Sequence, residues 1–140
     1  MNNVQAGPEL VVRARAQQAG LDPVLDLLTR HAITVSARSL YYERDRTVLL
    51  LISDHSARAQ SLLQAAGYDC RLDDVLWIRF PHYQPGSVAR LCHELLHAGI
   101  SIHRTYVSTL NNAGCCVVIK TSNNPAALRL LATLPVEHAA

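Results

Sequence analysis

Aromatic residues are scarce: one tryptophan, five tyrosines and one phenylalanine among 140 residues. A sheet that stacks bases needs aromatics on its central strands, so RNA binding is not expected. Basic charge is not concentrated either. The 13 Lys+Arg are twelve arginines and a single lysine, spread along the chain with a net charge of +2. No tract marks a nucleic-acid or membrane surface. No apolar run approaches the roughly 18 residues of a membrane span. The first ten residues, MNNVQAGPEL, lack a basic region followed by an apolar one, so a secretory signal is not expected. Cysteine is limited to Cys70, Cys92, Cys115 and Cys116, with no C-x-x-C. Cys115 and Cys116 are neighbours in a strand-like run and point to opposite faces. Buried, reduced thiols in a cytoplasmic protein are the expectation.

What is present is a globular composition, 49% hydrophobic and 17% charged, enough for one medium domain or two small ones. The two halves resemble each other. QAGLDPVLDLLTRHAITV, from Gln18, lies beside QPGSVARLCHELLHAGISI, from Gln84. Gly20 falls opposite Gly86, Leu28 opposite Leu95, Ile33 opposite Ile100 and Val35 opposite Ile102. TVLLLIS matches CCVVIKT, and Leu62-Leu63 match Leu130-Leu131.

Each half reads the same way. ELVVRA alternates and is a strand. Asp22-Pro23 opens a helix carrying Val24, Leu27, Leu28 and His31 at helical spacing. ITVSARSLYY and TVLLLIS are strands around a charged turn at residues 43–46. Residues 56–66 form a helix closed by Gly67, and YDCRL is a fourth strand. In the second half VLWIRF is a strand, residues 86–98 a helix, ISIHRTYV a strand, residues 111–114 a turn and CCVVIKT a strand. A helix opens near Asn124-Pro125, and the last strand is short, absent or supplied by another segment. The pattern is βαββαβ twice. It implies an α+β fold of two tandem ferredoxin-like modules, residues 1–74 and 75–140, with antiparallel sheets and helices on one face. Leu76, Ile78 and Phe80 should face the helices. Trp77 takes the other face, where it needs cover, and a second copy of the chain would supply it.

The segment Tyr83-Gln84-Pro85-Gly86-Ser87-Val88, then His97-Ala98-Gly99-Ile100-Ser101-Ile102, then the strand to Thr121 and Asn123-Asn124-Pro125, resembles the ACT domain. In doubled form the chain resembles small bacterial tandem-ACT amino-acid-binding proteins. The resemblance implies strand order 2-3-1-4, a continuous eight-stranded sheet and a non-enzymatic regulatory sensor. It implies an amino-acid ligand where the first loop of one module meets its neighbour, and self-association as a homodimer. No catalytic residue, cofactor or resident metal is implied. The implied ligand-binding residues are Tyr83, Gln84, Pro85, Gly86, Ser87, Val88, Ser101 and Ile102. Tyr83 stands where the family commonly has aspartate, and Ser101 where asparagine is common. The physics of the loop agrees. Pro85 suits a helix start, Gly86 lets a ligand approach the backbone, and the first helix amides attract a carboxylate.

Two other readings compete. One is a structural or protein-interaction module that has lost its ligand. The other is a zinc hydrolase, because His93-Glu94-Leu95-Leu96-His97 spells H-E-x-x-H. The helix must end at Gly99, however, and the first half has no paired histidines. Val88, Leu91, Cys92 and Leu95 form the buried stripe, which leaves His93 and His97 on a flank with Arg90. Adventitious nickel or zinc binding is the milder expectation for the pair. His31 suits a helix C-terminus, His55 precedes a helix it can cap, and His82 flanks the ligand loop.

Overall fold

The computed structural model describes residues 4–15, 21–81, 85–109 and 114–134. Along them run β1 (Val4–Arg15), α1 (Leu21–Arg30), β2 (Val35–Glu43), β3 (Arg46–Ser53) and α2 (Ser56–Ala65). Then follow β4 (Asp69–Phe80), α3 (Pro85–His97), β5 (Ile102–Thr109), β6 (Cys115–Thr121) and α4 (Asn124–Thr133). The fold is α+β with antiparallel strand pairs, as the repeat implies. Two compact units emerge: Pro8–Asp73, and the described parts of Met1–Gly7 with Asp74–Ala140.

In the unit Pro8–Asp73 the strand order is β2-β3-β1-β4, with residues 69–73 in the last place. Leu10 and Val12 of β1 lie beside Leu51 and Leu49 of β3 and share their face. Val24 and Leu28 of α1, with Ala59 and Leu63 of α2, close over that face, and Cys70 joins the core. Each buried valine or leucine there contributes about 1.5–3 kcal/mol by leaving water.

In the other unit the order is β1-β4-β6-β5, with residues 4–7 as the β1 portion. Leu76, Ile78 and Phe80 pack with Leu91 and Leu95 of α3 and with Ala127 and Leu131 of α4, as their strand parity predicts. Val4 leans on the same core. Each unit therefore carries the 2-3-1-4 order, and the fourth place in the second is filled from the start of the chain. The described residues hold six strands, where the resemblance implies eight. YDCRL and VLWIRF are not separate strands. No glycine or proline interrupts the chain between them, and β4 runs through both. β1 likewise begins at Val4, ahead of the expected ELVVRA.

Trp77 does take the face opposite Leu76 and Ile78, but its own chain helps to cover it. It is half-buried, and a Cβ added at Gly7 would come within 2.8 Å of its ring. Gly7 is thus required by the close approach of the indole. Gly114, at φ +96°, is required for a different reason: a Cβ there would collide with the Phe80 carbonyl oxygen.

The repeat persists down to single hydrogen bonds. α1 ends with Ile33 N–H donating to Leu28 O at 2.9 Å and Ala32 N–H to Thr29 O at 3.0 Å. α3 ends with Ile100 N–H donating to Leu95 O at 2.9 Å and Gly99 N–H to Leu96 O at 3.0 Å. Both are Schellman closures, which need a left-handed residue. Gly99 supplies it in one case (φ 79°) and, less comfortably, Ala32 in the other (φ 58°). The strand that follows is bulged in both units, between Val35 and Ala37 and between Ile102 and Arg104.

Candidate functional site

α3 begins at Pro85 because proline has no N–H to lose and its φ is already helical. Gly86 is exposed, and a Cβ there would meet nothing within 4 Å. Its backbone is not left-handed and nothing in the packing excludes a side chain, so neither turn geometry nor core packing demands a glycine here. Ser87 is 5% exposed, and Val88 is half-buried against the core. Helix geometry leaves the amides of this turn without acceptors four residues back, at the positive end of the dipole. A carboxylate suits that position chemically. Tyr83 and Gln84, with His82, lie outside the described residues, as does the turn expected at 111–113.

Ser101 precedes β5 and is exposed, while Ile102 opens β5 and packs half-buried on the core. The Ser101 backbone is already engaged. Its N–H donates to Ser122 Oγ at 3.0 Å, and its carbonyl accepts from Ser122 N–H at 2.9 Å. The first module has the same clamp: Thr34 N–H donates to Asp54 Oδ1 at 2.9 Å, and Asp54 N–H donates to Thr34 O at 3.2 Å. The hydroxyl of Ser101 remains at the surface. Within one unit, however, the two groups of candidate residues do not meet. α3 follows Phe80, which pairs with Cys115 at the start of β6; Ile102 pairs with Thr121 at its end. Six residues of strand, about 20 Å, separate those ends. No single amino acid reaches from Gly86 to Ser101 of the same module.

The residues that hold these segments in place carry no local signal of that role in the sequence. Asn124 is the chief one. Its Oδ1 accepts from Thr121 N–H at 3.0 Å and Thr121 Oγ1 at 2.7 Å, and its Nδ2 donates to Asp74 O at 2.8 Å. Asn123 caps α4 by accepting from Ala126 N–H at 3.1 Å. An Asn-Asn-Pro run signals a helix start, and nothing local shows that Asn124 reaches back to β4.

The first module offers a different surface at its first helix. Asp22, Pro23, Leu25, Asp26 and Thr29 of α1 line an open groove of about 590 Å³. Two carboxylates there repel the carboxylate of an amino acid.

The histidines separate in role. His31 Nδ1–H donates to Leu27 O at 2.9 Å and so closes α1. His55 sits at the N-cap position of α2 but makes no cap with its side chain. Its Nδ1 instead lies 3.1 Å from Asp54 Oδ1. That contact, followed by the Thr34 N–H bond, holds the Asp54 carboxyl below its ordinary range. His93 and His97 are exposed on α3, with ring centroids 5.9 Å apart and planes 18° from parallel. Among the described residues no group of three or more His, Cys, Asp or Glu is placed to hold a metal. The helix ends and β5 begins where the repeat requires, so His103 stands on a strand and not in a metalloprotease loop.

Two ferredoxin-like units, each with order 2-3-1-4 and paired helices, define a two-module α+β fold. The family model described as the ACT domain pair matches residues 8–134. The chain belongs to that family. Its fold is similar to that of protein BT0572 from Bacteroides thetaiotaomicron, at TM-score 0.80 and 24% identity over 94% of this chain and 90% of that one. It is similar to the ligand-free regulatory subunit of aspartate kinase from Thermus thermophilus, at TM-score 0.65 and 17% identity over 94% and 95%. It also matches E. coli aspartokinase III in complex with lysine and aspartate, at TM-score 0.51 and 12% identity, over 94% of this chain and 32% of that one. A search of curated protein sequences finds no similar one. No described helix is long and apolar enough to cross a membrane.

Proposed function

We propose that the chain is a non-enzymatic amino-acid sensor in which the Gln84–Val88 segment receives the ligand carboxylate. The observation that carries this reading is the start of α3 in an ACT domain pair: Gly86 is exposed, with open space at its Cβ position, at the positive end of the helix dipole. The family supports a ligand-binding regulatory role. The lysine and aspartate in the E. coli aspartokinase III complex support an amino acid as the ligand class. Tyr83 and Gln84 complete the loop in this reading. Because Ser101 and Ile102 stand at the far end of their own sheet, they serve a site completed by a neighbouring module. That requirement supports self-association, with the two compact units, Pro8–Asp73 and Asp74–Ala140 together with Met1–Gly7, as the modules. Four unpaired cysteines, Cys70, Cys92, Cys115 and Cys116, fit a reducing cytoplasm.

Thermal-shift screening against the twenty amino acids tests the proposal. At a hundredfold excess over Kd a true ligand adds about 2.7 kcal/mol of stability, a rise of several degrees. Gly86→Asp places a carboxylate over the same amides, and with open space at its Cβ it should leave the fold intact and abolish the shift. No shift with any amino acid rejects the reading.

An interaction module without a ligand is the second reading, favoured by one observation. On β2, which lies at one end of its unit's strand order, Tyr42 is 75% exposed and Leu40 is 37% exposed. A silent amino-acid screen together with an oligomer that Tyr42→Ser dissociates would select it.

A further inference from the structure

We propose that His93 and His97 form a two-imidazole chelating site for a borderline divalent cation, zinc, nickel or copper, on the exposed flank of α3. The site is independent of the amino-acid reading. The two side chains are one helical turn apart, the spacing at which neighbours share a face. Their rings are stacked at 5.9 Å between centroids with an 18° interplanar angle. A nitrogen-bound ion of this class sits about 2.0–2.1 Å from each ligand atom, so two rings that share one ion have centroids no more than about 6.4 Å apart. The observed separation lies inside that limit. Both rings are exposed and neither has a hydrogen-bond or ion-pair partner among the described residues, so the rotation that aims both nitrogens at one ion gives up only the stacking of the two rings on each other. Imidazole suits these borderline ions and not magnesium.

Position on the helix adds a second reason. His97 is the final residue of α3, at the negative end of its dipole, where a cation is favoured. Arg90, exposed and three residues before His93, is a like charge on the same flank. Glu94 is half-buried and lies about 100° round the helix from His93 and about 60° from His97, as in any H-E-x-x-H helix; what separates the arrangement from a hydrolytic centre is that no third protein ligand stands with the pair among the described residues. Water completes the coordination sphere. Occupancy ties the last turn of α3 to the turn before it and so resists fraying at the end that leads into β5.

Calorimetric titration of the full chain with nickel chloride and with zinc chloride, with magnesium chloride as control, tests the site. The expected result is one ion per chain for nickel and zinc and no heat with magnesium. His93→Ala and His97→Ala should each weaken binding tenfold or more, while His31→Ala leaves it unchanged. Both variants remove exposed side chains, and unchanged circular dichroism will show that they fold. Binding undiminished in either variant, or no binding at 0.1 mM ion, overturns the proposal.

Discussion

Cys70 shows what burial does to a single group. It is 1% exposed in the core of the unit Pro8–Asp73, and desolvation, with a smaller push from the charge of Asp69, lifts its thiol from the ordinary 9.0 to about 11. The protonated thiol is the neutral form, so the folded chain keeps a proton that the unfolded chain surrenders first. The contribution is therefore intact below about pH 9 and is lost as the pH climbs toward about 11. Burial shifts Cys92, Cys115 and Cys116 in the same direction. Urea unfolding followed from neutral pH to about pH 11 should show stability falling, with a shallower fall in Cys70→Ala. Equal slopes in the two proteins would contradict this account. Composition alone suggested that these thiols are buried and inert. It did not say which is most perturbed, because the depth of a site is set by the helices that close over it.

At the scale of elements, helix ends were the most legible feature and also the place where the two repeats differ. Gly67 and Gly99 adopt the left-handed conformation that closes their helices, at φ 94° and 79°. The first repeat closes α1 with the same two hydrogen bonds but places Ala32 in that conformation. A Cβ in the left-handed region costs about 1 kcal/mol, and Ala32 is exposed, so its methyl group offers little packing in return. Ala32→Gly should stabilise the chain by about 1 kcal/mol and raise Tm by a few degrees. A fall in Tm on calorimetry would mean that the flexibility glycine adds to the unfolded chain outweighs the strain. The helix stripes were equally legible: Leu91 and Leu95, chosen by spacing, are buried beneath α3. The His55 cap was not, because a side chain beside Asp54 has a stronger partner than the helix amides.

Across the whole molecule, one sequence-local expectation proved too local. The start of the chain reads as part of the first repeat, yet residues 4–7 belong with the second unit, where Val4 joins the core and Gly7 underlies Trp77. Deleting residues 1–7 should therefore damage the second unit more than the first. The expected signs are a red-shifted Trp77 emission and a lowered urea midpoint, since the indole loses its cover and the core loses Val4. An unchanged emission maximum would show that residues 4–7 do not hold the indole.

The sequence by itself determined the duplication, the class of fold, the order of the helices, the buried stripes and the family. Periodicity and turn chemistry are local properties, and they are written twice in this chain. Only the tertiary structure decided that one strand runs from Asp69 to Phe80, that the opening strand lends residues to the other unit, and that Gly86 and Ser101 stand at opposite ends of one sheet. Strand pairing joins residues far apart in the chain through backbone groups that every residue carries, so no side-chain pattern announces the partner.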